Sequence, residues 1–119
     1  MTKTPDRLET LRARLAVFVA RRDWDQFHNP KNLAMAIAAE SGELLEHFQW
    51  LTPAQAAGLP PAAREEVALE CADILLFLLR LCDRLGIDLA AATERKLALN
   101  ARKYPVARSR GRATKYNKL

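Results

Sequence analysis

Four acidic residues stand in two pairs that share one spacing. Glu40 and Glu43 form the first pair, and Glu70 and Asp73 form the second after 26 intervening residues. Residues three apart lie on one face of an α-helix, with Cβ atoms about 5–6 Å apart. Apolar residues flank both pairs, and carboxylates in such a setting are costly unless they are paired or bind a cation. Oxygen ligands suit Mg²⁺ or Mn²⁺ rather than soft metals, so the pattern predicts a hard-cation site.

A magnesium site of this kind carries an implication about the ligand. Mg²⁺ in proteins keeps several waters and is commonly held by a few carboxylates together with substrate phosphates. The predicted site therefore implies a polyphosphate ligand. The alternative interpretation is that the four acids are ordinary solvent-facing charges, because acidic pairs at i and i+3 are common on exposed helices. The spacing alone leaves both interpretations open.

The elements that must position these acids are predicted to be helices. Asn29-Pro30 is a strong helix start, with Asn as N-cap and Pro at the first helical position. Asp6 and Asp88 are further N-caps, and Gly86 is suited to follow a helix end. A short capped turn is expected at Thr52. The four long helices are predicted to span about 6–22, 29–51, 61–85 and 88–103.

The composition agrees with an all-α fold. Half of the 119 residues are hydrophobic and only four are glycine. The apolar run Ile74–Leu79 predicts a central buried helix. We therefore predict a four-helix bundle over residues 1–105, followed by a basic, irregular C-terminal tail over 106–119. Small helical domains often complete their cores by pairing, so a homo-oligomer is expected.

The net charge of +5 is concentrated at the C-terminal end. Residues 102–119 contain seven Lys or Arg and no acid, whereas the other 101 residues contain 12 basic and 14 acidic groups. A high isoelectric point alone would favour nucleic-acid binding. Here the high isoelectric point comes from a short tail, so nucleic acid is not expected as a partner. The non-enzymatic alternative is a helical module that binds nucleic acid or nucleotides through this tail.

Several classes of protein are excluded by what the sequence lacks. No Cys/His spacing typical of a zinc site is present. No apolar run reaches the roughly 18 residues needed to cross a membrane, and the first residues have no apolar signal core, so a cytoplasmic protein is expected. A di-iron bundle would need Glu-x-x-His on two helices, which is absent. No Ser/His/Asp or Cys/His arrangement indicates a covalent intermediate.

Six further residues are candidates for substrate contacts. One polar stripe at i, i+4 and i+7 on the fourth predicted helix could reach phosphate or sugar oxygens. Two tryptophans at helix edges could stack on a base, and a loop histidine lies nearby. A solvated helix face, core aromatics and a simple loop histidine are the alternatives. The six residues are Lys96, Asn100, Lys103, Trp24, Trp50 and His28.

The two acidic pairs also resemble a family signature. Glu40-Ser-Gly-Glu43 and Glu70-Cys-Ala-Asp73 are similar to the EXXE…EXXD motif of the MazG-like, all-α nucleoside triphosphate pyrophosphohydrolases. The flanking blocks Phe27–Leu33, Phe48–Trp50 and Lys96–Pro105 are similar to the dCTP pyrophosphatase branch of that family. The resemblance covers about residues 8 to 119.

The resemblance implies an activity and a set of roles. The activity is hydrolysis of a (deoxy)nucleoside triphosphate between the α- and β-phosphorus, which releases pyrophosphate and cleanses the nucleotide pool. The four acids would be the catalytic residues and the Mg²⁺ ligands, with Mn²⁺ as a substitute. Lys96, Asn100 and Lys103 would contact phosphate or sugar, and Trp24, His28 and Trp50 would line the base pocket. A homodimer or homotetramer is implied.

Two features depart from that branch. Phe77 stands where some relatives have a tyrosine, which removes a hydroxyl that could orient the base or sugar. The connection from Leu51 to Arg64 is slightly shorter than is usual. Both features leave the preferred base open, although neither affects the predicted chemistry.

Overall fold

The computed structural model describes residues 6–119, and every regular element in that range is helical. The first five residues of the predicted domain 1–105 lie outside it. Short 3₁₀ turns occur at Asp25–Phe27 and Tyr116–Lys118. The all-α class and the four long helices are confirmed. The helices are α1 (Arg7–Arg21), α2 (Pro30–Glu46), α3 (Pro53–Ala57), α4 (Pro61–Leu85), α5 (Leu89–Lys103) and α6 (Val106–Ser109).

The helix starts have the predicted caps. The Asn29 side chain accepts a hydrogen bond from the Asn32 backbone N–H at 2.8 Å, and Asp88 accepts one from Ala91 at 3.0 Å. Thr52 and Gln55 exchange hydrogen bonds in a full capping box at the start of α3. These caps satisfy backbone N–H groups that have no partner inside the helix.

The end of α2 differs from the sequence prediction. The helix stops at Glu46, not near Leu51. Beyond it, Phe48 and Leu51 donate their backbone N–H groups three residues back, to Leu45 and Phe48, each at 2.9 Å. The chain therefore tightens into successive turns, a common way for a helix without a C-terminal glycine to satisfy its last carbonyls. Both Glu40 and Glu43 remain inside the helix.

Residues 6–86 form one compact unit, in which α4 packs along α2 and also contacts α1. The buried apolar side chains come from all three helices: Val19, Leu33, Leu79 and Cys82. The run Ile74–Leu79, predicted to be buried, is only partly so, because Leu79 is 3% exposed but Leu76 is 37% exposed. The interior of this unit is therefore small for its length.

Residues 87–119 form a second compact unit. Its tail turns back onto the end of α5, where the Tyr116 ring meets the edge of Tyr104 at a centroid distance of 6.0 Å. The Lys103 ammonium lies 4.7 Å from the centre of the same Tyr116 ring. The tail was predicted to be irregular, but half of its residues lie in α6 and the 3₁₀ turn. Among the described residues, no helix combines the length and apolarity that a membrane crossing requires.

Candidate functional site

Three of the four predicted acids come together where α2 and α4 pack. Glu40, Glu43 and Glu70 each offer one carboxylate oxygen, and these oxygens all lie within 4.8 Å of one another. Glu40 and Glu70 are half-buried, whereas Glu43 is exposed. The i, i+3 spacing places the first two on one face of α2, and the packing of α4 adds the third. We call Glu40, Glu43 and Glu70 the carboxylate cluster.

Asp73 is not one of the three clustered residues. It lies one turn after Glu70 on α4, and its side chain is exposed. Its spacing from Glu70 still places it on the same side of that helix. Its role as a fourth ligand stays a prediction.

Two oxygens of the carboxylate cluster lack hydrogen-bond partners, and its like charges repel one another. The Oε2 atoms of Glu40 and Glu70 are both buried and have no hydrogen-bond partner. The nearby Glu43 carboxyl is the largest cause that raises the pKa of Glu40 to about 7, and burial and Glu70 add to it. Acids so close together cannot all stay ionised at low cost unless a cation or a proton lies between them.

A hard divalent cation fits these residues. The cluster offers only oxygen atoms as metal ligands, and two of those oxygens are buried without hydrogen-bond partners. Mg²⁺ and Mn²⁺ prefer carboxylate oxygens, and a site with few protein ligands leaves room for water and phosphate oxygens. The arrangement can therefore hold a cation together with a polyphosphate.

A second group of predicted site residues forms an aromatic row. Asp23 follows α1 with φ of 52°, a left-handed conformation that Asp tolerates better than most residues, and it turns the chain into Trp24. The Trp24 ring lies 6.5 Å from the His28 ring and 5.9 Å from that of Phe18, measured between centroids. Trp24 is 43% exposed, so it offers a free surface.

The other predicted substrate residues lie on other elements of the chain. Trp50 lies in the turns after α2, is 86% exposed and takes part in no aromatic pair found among residues 6–119. Lys96, Asn100 and Lys103 follow one side of α5 in the second unit, with Asn100 half-buried and both lysines exposed. Their roles stay predictions.

One buried charged residue was missed by the sequence analysis. Arg80 is 5% exposed, and its guanidinium group donates hydrogen bonds to Asp25, Asp83 and the Nδ1 atom of His28. The signal that could have revealed it is a single charge directly after the apolar run of α4. Its partner Asp25 is 55 residues away in the sequence, and no local pattern indicates that contact.

The first unit also has a groove. It has a volume of about 750 Å³, runs along α1 and contains none of the predicted site residues. Its lining residues are Ala13, Arg14, Val17, Phe18, Arg21 and Arg22. The chemistry of the carboxylate cluster, not the size of a groove, thus identifies the candidate site.

Comparison with known proteins finds relatives over most of the chain. A model of the MazG-like family matches residues 35–119, a range that contains the carboxylate cluster. The chain is 45% identical to dCTP pyrophosphatase 1 of Bos taurus and 41% identical to that of Homo sapiens. Each alignment covers 94% of this chain and 68% or 67% of the relative.

A solved structure is similar over nearly its whole length. A pyrophosphatase from Archaeoglobus fulgidus superposes with a TM-score of 0.81 at 39% sequence identity, covering 88% of this chain and 98% of that one. The helical fold, the carboxylate cluster and these relatives agree with one another. The chain belongs to the MazG-like family and is an enzyme, a nucleoside triphosphate pyrophosphohydrolase.

Proposed function

We propose that this enzyme hydrolyses a deoxynucleoside triphosphate, dCTP or a related modified dNTP, to the monophosphate and pyrophosphate with the help of Mg²⁺. The carboxylate cluster is the observation that carries the proposal. The name of the mammalian relatives, dCTP pyrophosphatase 1, supports the choice of base. The biological role would be removal of surplus or damaged triphosphates from the nucleotide pool.

The proposed cation ligands are Glu40, Glu43 and Glu70, with Asp73 as a fourth. The buried, unpartnered Oε2 atoms of Glu40 and Glu70 support this assignment. The chemistry that a bound Mg²⁺ or Mn²⁺ supplies is neutralisation of phosphate charge and a lowered pKa for a water molecule. Placing a cation among these acids would also relieve their mutual repulsion.

The reaction breaks the bond between the α-phosphorus and the oxygen that bridges it to the β-phosphate. A water oxygen forms the new bond to the α-phosphorus, and pyrophosphate leaves with the bonding electron pair. We assign Glu43 as the carboxylate that orients this water and accepts its proton, because Glu43 is the exposed member of the carboxylate cluster. No covalent enzyme intermediate is needed.

The remaining substrate contacts are carried over from the resemblance. Lys96, Asn100 and Lys103 are assigned to phosphate and sugar oxygens, because ammonium and amide groups donate to such acceptors. Trp24, His28 and Trp50 are assigned to the base. A homodimer or homotetramer is the proposed assembly.

The first prediction tests the bond and the carboxylates together. Each dNTP is incubated with the protein and Mg²⁺, and monophosphate, pyrophosphate and orthophosphate are measured separately. We expect pyrophosphate as the primary product and a loss of kcat of at least about 100-fold in Glu43→Ala and Asp73→Ala, because Glu43 is the proposed water-orienting residue and Asp73 a proposed cation ligand. Circular dichroism should confirm that both variants stay helical.

The matched control is Glu65→Ala, which removes an exposed acid from α4 outside the carboxylate cluster and should leave kcat unchanged. Orthophosphate as the primary product would contradict the proposed bond. Full activity of Glu43→Ala would contradict the proposed role of the carboxylate cluster. Nucleic-acid retention that is lost on deleting residues 106–119, in a protein with no triphosphate hydrolysis, would favour the non-enzymatic alternative.

A further inference from the structure

Arg80 is the most buried charged residue of the described chain, and it has no part in the proposed chemistry. Its guanidinium group donates to the Asp25 and Asp83 carboxylates and, through Nε at 3.3 Å, to Nδ1 of His28. A guanidinium group keeps its charge in proteins, so burial requires partners of this kind. The contacts with Asp25 and His28 join α4 to the segment that carries Trp24 and His28.

The network around Arg80 holds the guanidinium group in a fixed orientation. Asp83 receives a hydrogen bond from Arg80 at 3.0 Å and another from Arg12 of α1, also at 3.0 Å. The negative charges of Asp25 and Asp83 therefore balance the positive charges of Arg12 and Arg80. The carboxylates of Asp25 and Asp83 hold the two terminal nitrogens of the planar Arg80 guanidinium group. Its Nε–H group then points at the His28 ring.

This contact determines which nitrogen of His28 carries the proton. A guanidinium group has only donors, so the Nδ1 atom that faces it must act as an acceptor. In a neutral imidazole the proton then lies on Nε2. Burial lowers the pKa of His28, and the charge of Arg84 lowers it further. The ring is thus neutral at physiological pH, with Nε2–H as its single donor.

We propose that Arg80 is a positioning residue that fixes His28 as an Nε2–H donor to a hydrogen-bond acceptor on the base of the nucleotide substrate. The neighbouring Trp24 ring supplies a surface on which a base can stack, next to this donor. A carbonyl oxygen or an unprotonated ring nitrogen on the base edge fits such a donor, and another N–H group does not. This inference rests on the proposed function, because it takes a nucleotide base as the ligand.

The first measurement needs no variant. Nitrogen-15 NMR of the histidine rings at pH 8 should give the shift of an unprotonated nitrogen for Nδ1 of His28 and that of an N–H for Nε2. The reverse pattern, with the proton on Nδ1, would overturn the proposal. This readout reports the tautomer, which a merely structural role of Arg80 would not fix.

The second measurement removes the guanidinium group. In Arg80→Met the His28 ring should become a mixture of both tautomers, because Nδ1 loses its donor. The matched control is Arg84→Met, one turn further along α4, which removes a charge but no hydrogen bond to the ring. Unchanged His28 nitrogen shifts in a folded Arg80→Met protein would contradict the proposal.

The third measurement is base discrimination, taken as the ratio of kcat/KM for the best and the worst of the four canonical dNTPs. We expect Arg80→Met to lower this ratio about tenfold, the size of one lost hydrogen bond, with the change mainly in KM for the best substrate. In a His28→Ala background, Arg80→Met should lower the ratio no further. An equal effect in both backgrounds would show that Arg80 does not act through His28.

These outcomes separate the inference from the proposed function. A wild-type protein that hydrolyses no dNTP would end the proposed function and the assignment of a base as the ligand. The NMR measurement would still decide the tautomer. An active wild-type protein whose Arg80→Met variant keeps its base discrimination would end the inference alone.

Discussion

The carboxylate cluster concentrates charge that the folded chain does not itself neutralise. Glu40, Glu43 and Glu70 face one another with two buried oxygens unpartnered, and no basic side chain forms an ion pair with any of them in the described structure. The raised pKa of Glu40 reports the same repulsion. Such a cluster opposes folding until a cation or a proton enters it. Ligand binding and stability should therefore be linked at these residues.

This linkage gives a prediction for the melting temperature. Millimolar Mg²⁺ or Mn²⁺ should raise the Tm of the wild-type protein, because a ligand that binds only the folded state stabilises it by an amount that grows with the ratio of its concentration to its Kd. Glu70→Gln should remove most of that increase. Without added cation, Glu70→Gln should melt no lower than the wild-type protein, since the substitution relieves repulsion and keeps the side-chain shape.

Two further variants make the measurement specific, with differential scanning fluorimetry as the readout. Glu65→Gln changes an exposed acid outside the carboxylate cluster and should keep the full cation response. Asp73→Asn tests the fourth predicted ligand, and a reduced response would place Asp73 with the other three. A wild-type Tm that stays unchanged when divalent cations are added would contradict the proposed cation site.

Single residues also mark how far the sequence could predict the site. The spacing of Glu40 and Glu43 on one helix is local, so their shared face followed from periodicity alone. The approach of Glu70 required the further step that two apolar-flanked pairs face each other. Arg80 could not be placed in this way, because its burial depends on Asp25 and His28, which are brought to it only by the packing of distant segments.

At the scale of the elements, helix starts were predictable and one helix end was not. Asn29, Thr52 and Asp88 satisfy backbone groups within three residues of themselves, so the local sequence determines these caps. Gly86 terminates α4 for an equally local reason. The end of α2 at Glu46 has no such residue, and the chain there simply changes to shorter hydrogen-bonded turns. A prediction from the local sequence therefore extends α2 too far, towards the next proline.

The C-terminal cap of α4 gives a prediction about stability. Gly86 has φ of +66° and donates its backbone N–H towards the last turn of α4. A Cβ atom at this position would meet no atom within 4 Å, so substitution costs only backbone strain. Gly86→Ala should lower the free energy of unfolding by about 1 kcal/mol, the cost of a left-handed conformation for a residue with a Cβ atom.

Gly42 is the matched control, because it lies inside α2 and a Cβ atom added there would meet no atom within 4 Å. Gly42→Ala should raise the free energy of unfolding by about 0.5–1 kcal/mol, since alanine loses less conformational entropy in a helix than glycine does. Urea titration measures both. A Gly86→Ala protein as stable as the wild type would contradict the capping role of Gly86.

At the scale of the whole molecule, much apolar surface stays exposed. Among residues 6–119, four apolar side chains are buried, whereas many large ones are exposed, among them Met35 at 61% and Leu69 at 59%. These exposed apolar side chains favour the proposed oligomer. The exposed residues of α2 and α4 are therefore the first place to look for contacts between copies of the chain.

The last prediction concerns this assembly. Light scattering coupled to size-exclusion chromatography should give a mass of two or four times the 13.4 kDa of one chain. Met35→Glu or Leu69→Glu should shift the protein towards 13.4 kDa, because a carboxylate in an apolar interface loses its hydration without gaining a partner. Ala62→Glu introduces the same charge at an exposed small residue of α4 and should leave the mass unchanged. A wild-type protein that elutes as a monomer at micromolar concentration would contradict the proposed oligomer, and the exposed apolar side chains would then need another explanation.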